Sequence, residues 1–153
     1  MAIHGLSKNA RIITVHAGTT ASATTTLDSS VIDMAGYESI MLIGSVGSTA
    51  ADNGMDLLVS TSSSTAQAED VLNSRVSAAN STGLLLDVAR FPAGKRYAFG
   101  RYVRGNTANT AGKMVAVQYN QRRAPVDNAT STVQAVQFLG NASTGQSTST
   151  SST

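Results

Sequence analysis

The sequence predicts an all-β protein, an antiparallel β-sandwich of jelly-roll type with an extended C-terminal arm. Three observations predict it. Six or seven short runs rich in β-branched, aliphatic and aromatic residues recur at intervals of roughly 10–20 residues. Clusters of Gly, Asn, Asp, Ser and Pro separate them. No strong amphipathic helices alternate with these runs, as a parallel α/β sheet would require.

In chain order, RIITVH offers Ile12, Ile13 and Val15 as the first strand. The run YESIMLIGSVG (37–47) lies between Gly36 and Gly47 and is too short for a buried helix, so it reads as a buried strand. MDLLVSTS (55–62) follows Asp52-Asn53-Gly54. Asn-Gly supplies the positive φ of a tight turn, which predicts that 38–46 and 55–61 form a hairpin. The stretch 66–79 reads either as the one helix, with Val71, Leu72 and Val76 roughly at helical spacing, or as irregular strand and loop.

LLLDVARF (84–91) is a strand ended by Pro92-Ala93-Gly94. YAFGRYVRG (97–105) mixes Tyr97, Phe99, Tyr102 and Val103 with Arg101 and Arg104; it reads as a strand with its aromatic face inward and its arginines outward. KMVAVQYN (113–120) puts Val115, Val117 and Tyr119 on one face. Residues 1–123 thus form the sandwich with a polar N-terminal lead. Residues 124–153 form the arm, whose last thirteen positions hold nine Ser or Thr. That composition cannot build a core alone. Val133, Val136, Phe138 and Leu139 are its apolar anchors, which suits an arm that orders on binding a neighbouring chain.

Composition narrows the function. The chain has 153 residues, enough for one domain with a core, and only 13% charged residues against about 25% in an average domain. Its 20 Ser and 18 Thr supply an uncharged polar surface suited to packing against other protein. The absence of cysteine excludes disulfides, thiolate metal sites and cysteine nucleophiles. No run reaches the ~18 apolar residues of a membrane span, so no membrane partner is expected. The N-terminus lacks a basic stretch followed by an apolar one, so no signal peptide is expected.

Candidate chemistry is sparse. His4 and His16 have no local nucleophile signature near them. Asp52 and Asp56 faintly resemble a calcium loop but lack its full spacing and bidentate Glu. Neither Gly-rich loop carries a phosphate-binding fingerprint. The expectation is a protein that is not an enzyme and uses no cofactor.

The sharper signal is charge segregation. Residues 28–89 hold eight acids and one base; residues 90–123 hold eight bases and no acid. The two sets can pair inside the fold as cross-strand ion pairs. They can instead meet across subunits. A nucleic-acid surface is the third reading, weakened by the acids of the same small domain. Partner-binding candidates are Arg90, Lys95, Arg96, Arg101, Arg104, Arg122 and Arg123, with Val133, Val136, Phe138 and Leu139 of the arm.

Several segments, taken in order, resemble a group of small structural proteins encoded in tailed-phage genomes. They are Asp33; Gly36-Tyr37-Glu38-Ser39; Leu86-Asp87-Val88; Tyr102-Val103-Arg104 with Gly105-Asn106; and Val117-Gln118-Tyr119 with Arg122 and Pro125. The resemblance spans residues 31–125 and leaves the Ser/Thr tail after 140 without a counterpart. It implies a bacteriophage head protein, a capsid cement or decoration protein with a jelly-roll or sandwich fold. Its partners would be the major capsid protein and copies of itself as a dimer or trimer, with no nucleic acid. It would sit on the virion's capsid surface after assembly in the bacterial cytoplasm. The alternative is a receptor- or carbohydrate-binding module of a phage tail or fibre.

Overall fold

The computed structural model describes residues 9–122. They form twelve strands: β1 (Arg11–His16), β2 (Thr19–Ala23), β3 (Leu27–Asp28), β4 (Ile32–Asp33), β5 (Tyr37–Ser45), β6 (Ala50–Ser60), β7 (Glu69–Asp70), β8 (Val76–Ala78), β9 (Gly83–Val88), β10 (Tyr97–Val103), β11 (Asn109–Ala111) and β12 (Met114–Gln121). One sheet has the order β1-β12-β5-β9. The other runs β3-β10-β6-β7, with β4 also on β10 and β8 also on β6. β2 and β11 make a small third ribbon. All pairings are antiparallel. Strand alternation turns one face of each large sheet inward. Ile40, Leu42, Leu84, Leu86, Met114 and Ala116 of the first sheet meet Met55, Leu57, Val59, Ala98 and Tyr102 of the second in one core. The protein is an all-β antiparallel sandwich.

Tyr102 is the largest fully buried side chain. Its hydroxyl accepts the Ser45 N–H at 3.0 Å and donates to the Lys113 carbonyl at 3.2 Å, tying the two sheets together. Burial pushes the phenol above its ordinary pKa, so it stays a donor. Gly44 lies directly opposite: a Cβ there would collide with the Tyr102 hydroxyl and ring.

The expected 38–46/55–61 hairpin does not form. β5 pairs with β12 and β9, whereas β6 pairs with β10, β7 and β8, so the chain crosses from one sheet to the other between them. Asn53 and Gly54 lie inside β6 instead of at a turn. Asn53 is fully buried; its amide donates to the Thr107 carbonyl at 3.1 Å, and its carbonyl oxygen accepts the Gly105 N–H at 2.9 Å. Gly54 leaves room for the Val76 carbonyl, which a Cβ would strike. Side-chain stapling and close strand approach need the same two residue types as a turn. The stretch 66–79 takes the irregular alternative: a short 3₁₀ turn at Thr65–Gln67, then β7 and β8.

One face assignment also changes. On β10, Tyr102 faces the core, but Phe99 points the other way, sharing its face with Arg101 and its register with Leu58. On β12, Val115, Val117 and Tyr119 do share a face, and it is the outer one; Met114 and Ala116 fill the core. The expected arm at 124–153 lies outside the described residues.

Candidate interaction surfaces

The acid-rich and base-rich halves meet within the fold. Arg101 grips its register partner Asp28 with two bonds of 2.6 and 3.0 Å. Arg96 grips Asp33 with bonds of 3.0 and 2.8 Å. Lys95 reaches Glu69 at 2.9 Å, and Arg122 lies 3.7 Å from Glu38. The Arg96 hydrogen bond holds the Asp33 carboxyl below its ordinary pKa, although partial burial opposes it. These pairs are substantially exposed, and such pairs contribute about 0–1 kcal/mol each. Of the four, Arg101–Asp28 joins two strands in register, whereas Lys95, Arg96 and Arg122 lie outside the strands.

Asp56 is the exception. It sits in register with Arg101, yet Arg101 is turned to Asp28, and Arg75 approaches only to 4.0 Å. Its Oδ1 is buried without a hydrogen bond. Burial raises its pKa despite Arg75 and Arg101. A raised carboxyl makes the folded state bind more protons than the unfolded one between the ordinary and the raised value. Stability is therefore lost as pH climbs through that window, and the loss is complete above it. Asp56→Asn removes the loss. Its stability gain over wild type should be smallest near pH 3, grow as pH rises and level off toward neutral. Urea unfolding across that range checks this; a gain that shrinks with rising pH contradicts it.

Four of the candidate cations converge. Arg90, Lys95, Arg96 and Arg122 line a cleft of about 780 Å³ at one end of the sandwich. Its walls are the 34–38 turn, the 89–96 loop and the end of β12. Local bonds hold the walls together. Asp33 accepts the Ala35 N–H, Arg122 donates its backbone N–H to Gly36, and Phe91 donates its own to Glu38. Pro92 to Lys95 form a turn with Gly94 at a φ of +77°, a type II position that favours glycine.

Arg101 stands apart, on the outer face of the second sheet with Asp28. Arg104 is 4% exposed and is consumed internally. Its guanidinium donates to the carbonyls of Thr25, Ala21 and Asn109 and to the Thr25 hydroxyl, at 2.7–3.1 Å. It anchors the β2–β11 ribbon and is not on the surface. Arg123, Val133, Val136, Phe138 and Leu139 lie outside the described residues, as does His4. The His16 Nδ1 accepts the Gly18 N–H at 2.9 Å, and its ring meets Tyr102 edge-on at 6.0 Å. Asp52 accepts the Thr107 N–H at 2.6 Å, which lowers its pKa and caps that loop.

A second surface was not anticipated. The outer face of the first sheet carries two rows of side chains in cross-strand register. One row is Thr14–Val115–Ile43–Leu85, and the next is Ile12–Val117–Met41–Asp87. Ile43 is 41% and Leu85 55% exposed. At the edge of the rows, the Tyr119 hydroxyl bonds the Asp87 carboxylate. The signal was present in the sequence: Ile40-Met41-Leu42-Ile43 and Leu84-Leu85-Leu86 are continuous apolar runs, which a sheet with one wet face does not need.

Compared with known proteins, the chain matches no family model, no curated protein and no solved structure.

Proposed function

We propose that the protein is a virion structural protein that binds and stabilises the outer capsid of a tailed bacteriophage, as a cement or decoration protein. It would contact the major capsid protein and further copies of itself. The apolar outer face of the first sheet carries this reading. A contiguous apolar patch on an otherwise polar surface is a feature of protein interaction sites. The phage-like sequence pattern supports it in a different way. Its segments meet in the fold: the Gln118 amide donates to the Asp33 carbonyl at 2.7 Å, Tyr119 bonds Asp87, and Arg122 donates to Gly36. That pattern is a framework signature, so the partner is recognised through the surface the framework presents. Many repeated weak contacts on a lattice then act through multivalency.

The double variant Ile43→Lys/Leu85→Lys tests the reading. Both side chains point outward, so the fold should survive with an unchanged circular dichroism spectrum. Binding to particles stripped of the protein should weaken by about tenfold or more, as for loss of an interface centre. Unchanged binding removes the face from the mechanism. Absence of the chain from purified particles overturns the reading itself.

A further inference from the structure

We propose that the cleft at the end of the sandwich docks a short acidic segment of a protein partner, with Arg90, Lys95, Arg96 and Arg122 engaging its carboxylates. The inference rests on the adhesive reading above and names the chemistry of one contact.

Three features converge on it. The first is charge. The cleft lining holds four cations and one acid, Glu38. Arg90 has no ion-pair partner among the described residues, and Arg122 meets Glu38 only at 3.7 Å with both side chains well exposed. The second is spare donor capacity. Asp33 occupies the Nε and Nη2 of Arg96, leaving Nη1, and Glu69 occupies one of the three Lys95 donors. Those acids, together with the Tyr97 ring 5.2 Å from the Arg96 guanidinium, orient the cations before a ligand arrives. The ordering cost of binding is correspondingly reduced.

The third feature is shape. A volume of about 780 Å³ lies within the ~300–1,000 Å³ range of ligand clefts. Gly36 and Gly94 border it with open space where a Cβ would stand, so a partner's main chain can approach closely. Tyr37 and Phe91 offer partly buried rings to its side chains.

A peptide fits better than a nucleic acid. Glu38 in the lining, and Asp33 and Glu69 just behind two of the cations, would oppose a strand that bears a phosphate at every step. Carboxylates spaced along a peptide can meet the forked arginine donors and avoid those acids.

The test is fluorescence anisotropy on the full chain at about 50 mM salt, where screening is modest. The probes are a labelled Gly-Glu-Asp-Glu-Asp-Gly peptide, its Gln/Asn counterpart, inorganic phosphate and an oligothymidylate of equal charge. Saturable binding of the acidic peptide is expected, with none of the neutral one. Binding should weaken by about tenfold or more in Arg90→Glu/Arg122→Glu, a variant that touches no buried group and should keep its melting curve. No binding, or binding the variant retains, overturns the inference. Tighter binding of the oligothymidylate overturns it in favour of a nucleic acid, and equal binding of phosphate reduces the site to a simple anion site. The particle assay with Ile43→Lys/Leu85→Lys is independent of this cleft, so failure here leaves the adhesive reading testable by itself.

Discussion

Replacing Arg104 by lysine is expected to destabilise the protein almost as much as replacing it by alanine, by about 3 kcal/mol or more in each case. Arg104 is a buried cation whose donors face backbone carbonyls and a hydroxyl, with no carboxylate of the described residues paired to it. Three segments depend on it: β2 through Ala21, the following turn through Thr25, and β11 through Asn109. Hydrogen bonds to a charged group contribute about 1.5–3 kcal/mol each, and the loss leaves carbonyls without donors. A lysine carries one point of charge on a flexible stem, so it cannot span acceptors that a planar fork reaches on two sides. Urea unfolding measures the loss, and amide exchange should show the β2–β11 ribbon opening first. A lysine variant within about 0.5 kcal/mol of wild type would sink the account, since surface substitutions stay in that range.

The second large effect is expected at the Tyr102–Gly44 contact. Tyr102→Leu should cost about 3 kcal/mol, because it leaves a void between the sheets and strips the Ser45 N–H of its acceptor. Tyr102→Phe, which removes only the hydroxyl, should cost about 1–2 kcal/mol. Gly44→Ala alone should cost about 1–3 kcal/mol through overpacking, since its Cβ runs into a ring already held at both hydroxyl bonds. The double variant Gly44→Ala/Tyr102→Leu should be more stable than the sum of the two losses predicts, by about 1 kcal/mol, because the obstruction and the void cancel in part. Strict additivity in thermal or urea unfolding would mean that the two sites do not touch.

The sandwich was legible because its strands announce themselves locally. Ile40 to Ile43, Leu84 to Leu86 and Met114 to Val117 need no tertiary information to be read as strands. Which strands pair is a long-range question, and Asn53-Gly54 shows the difficulty. The pair has a familiar local meaning, and here a loop more than fifty residues away decides its role. The ion pairs were foreseen as one outcome of the charge segregation. Their partners depended on register, as with Arg101 and Asp28. Of the proposed contact residues, Arg90, Lys95, Arg96 and Arg122 come together because a turn, a loop and a strand end coincide. Arg104 looks identical in sequence, and only the position of Thr25 and Ala21 reveals that it points inward. The apolar runs Ile40 to Ile43 and Leu84 to Leu86 were legible, but which of their side chains stand outward in shared rows is decided by the strand pairing.

The first described strand, β1, lies hydrogen-bonded to the last, β12. The four-stranded sheet therefore cannot close until nearly all of the folded body has been synthesised, and its earliest strand must wait on the ribosome for its neighbour. Such late, distant pairing favours refolding in milliseconds to seconds over microseconds. It also leaves the beginning and the end of the folded body side by side, so segments attached to either end would depart from the same flank of the molecule.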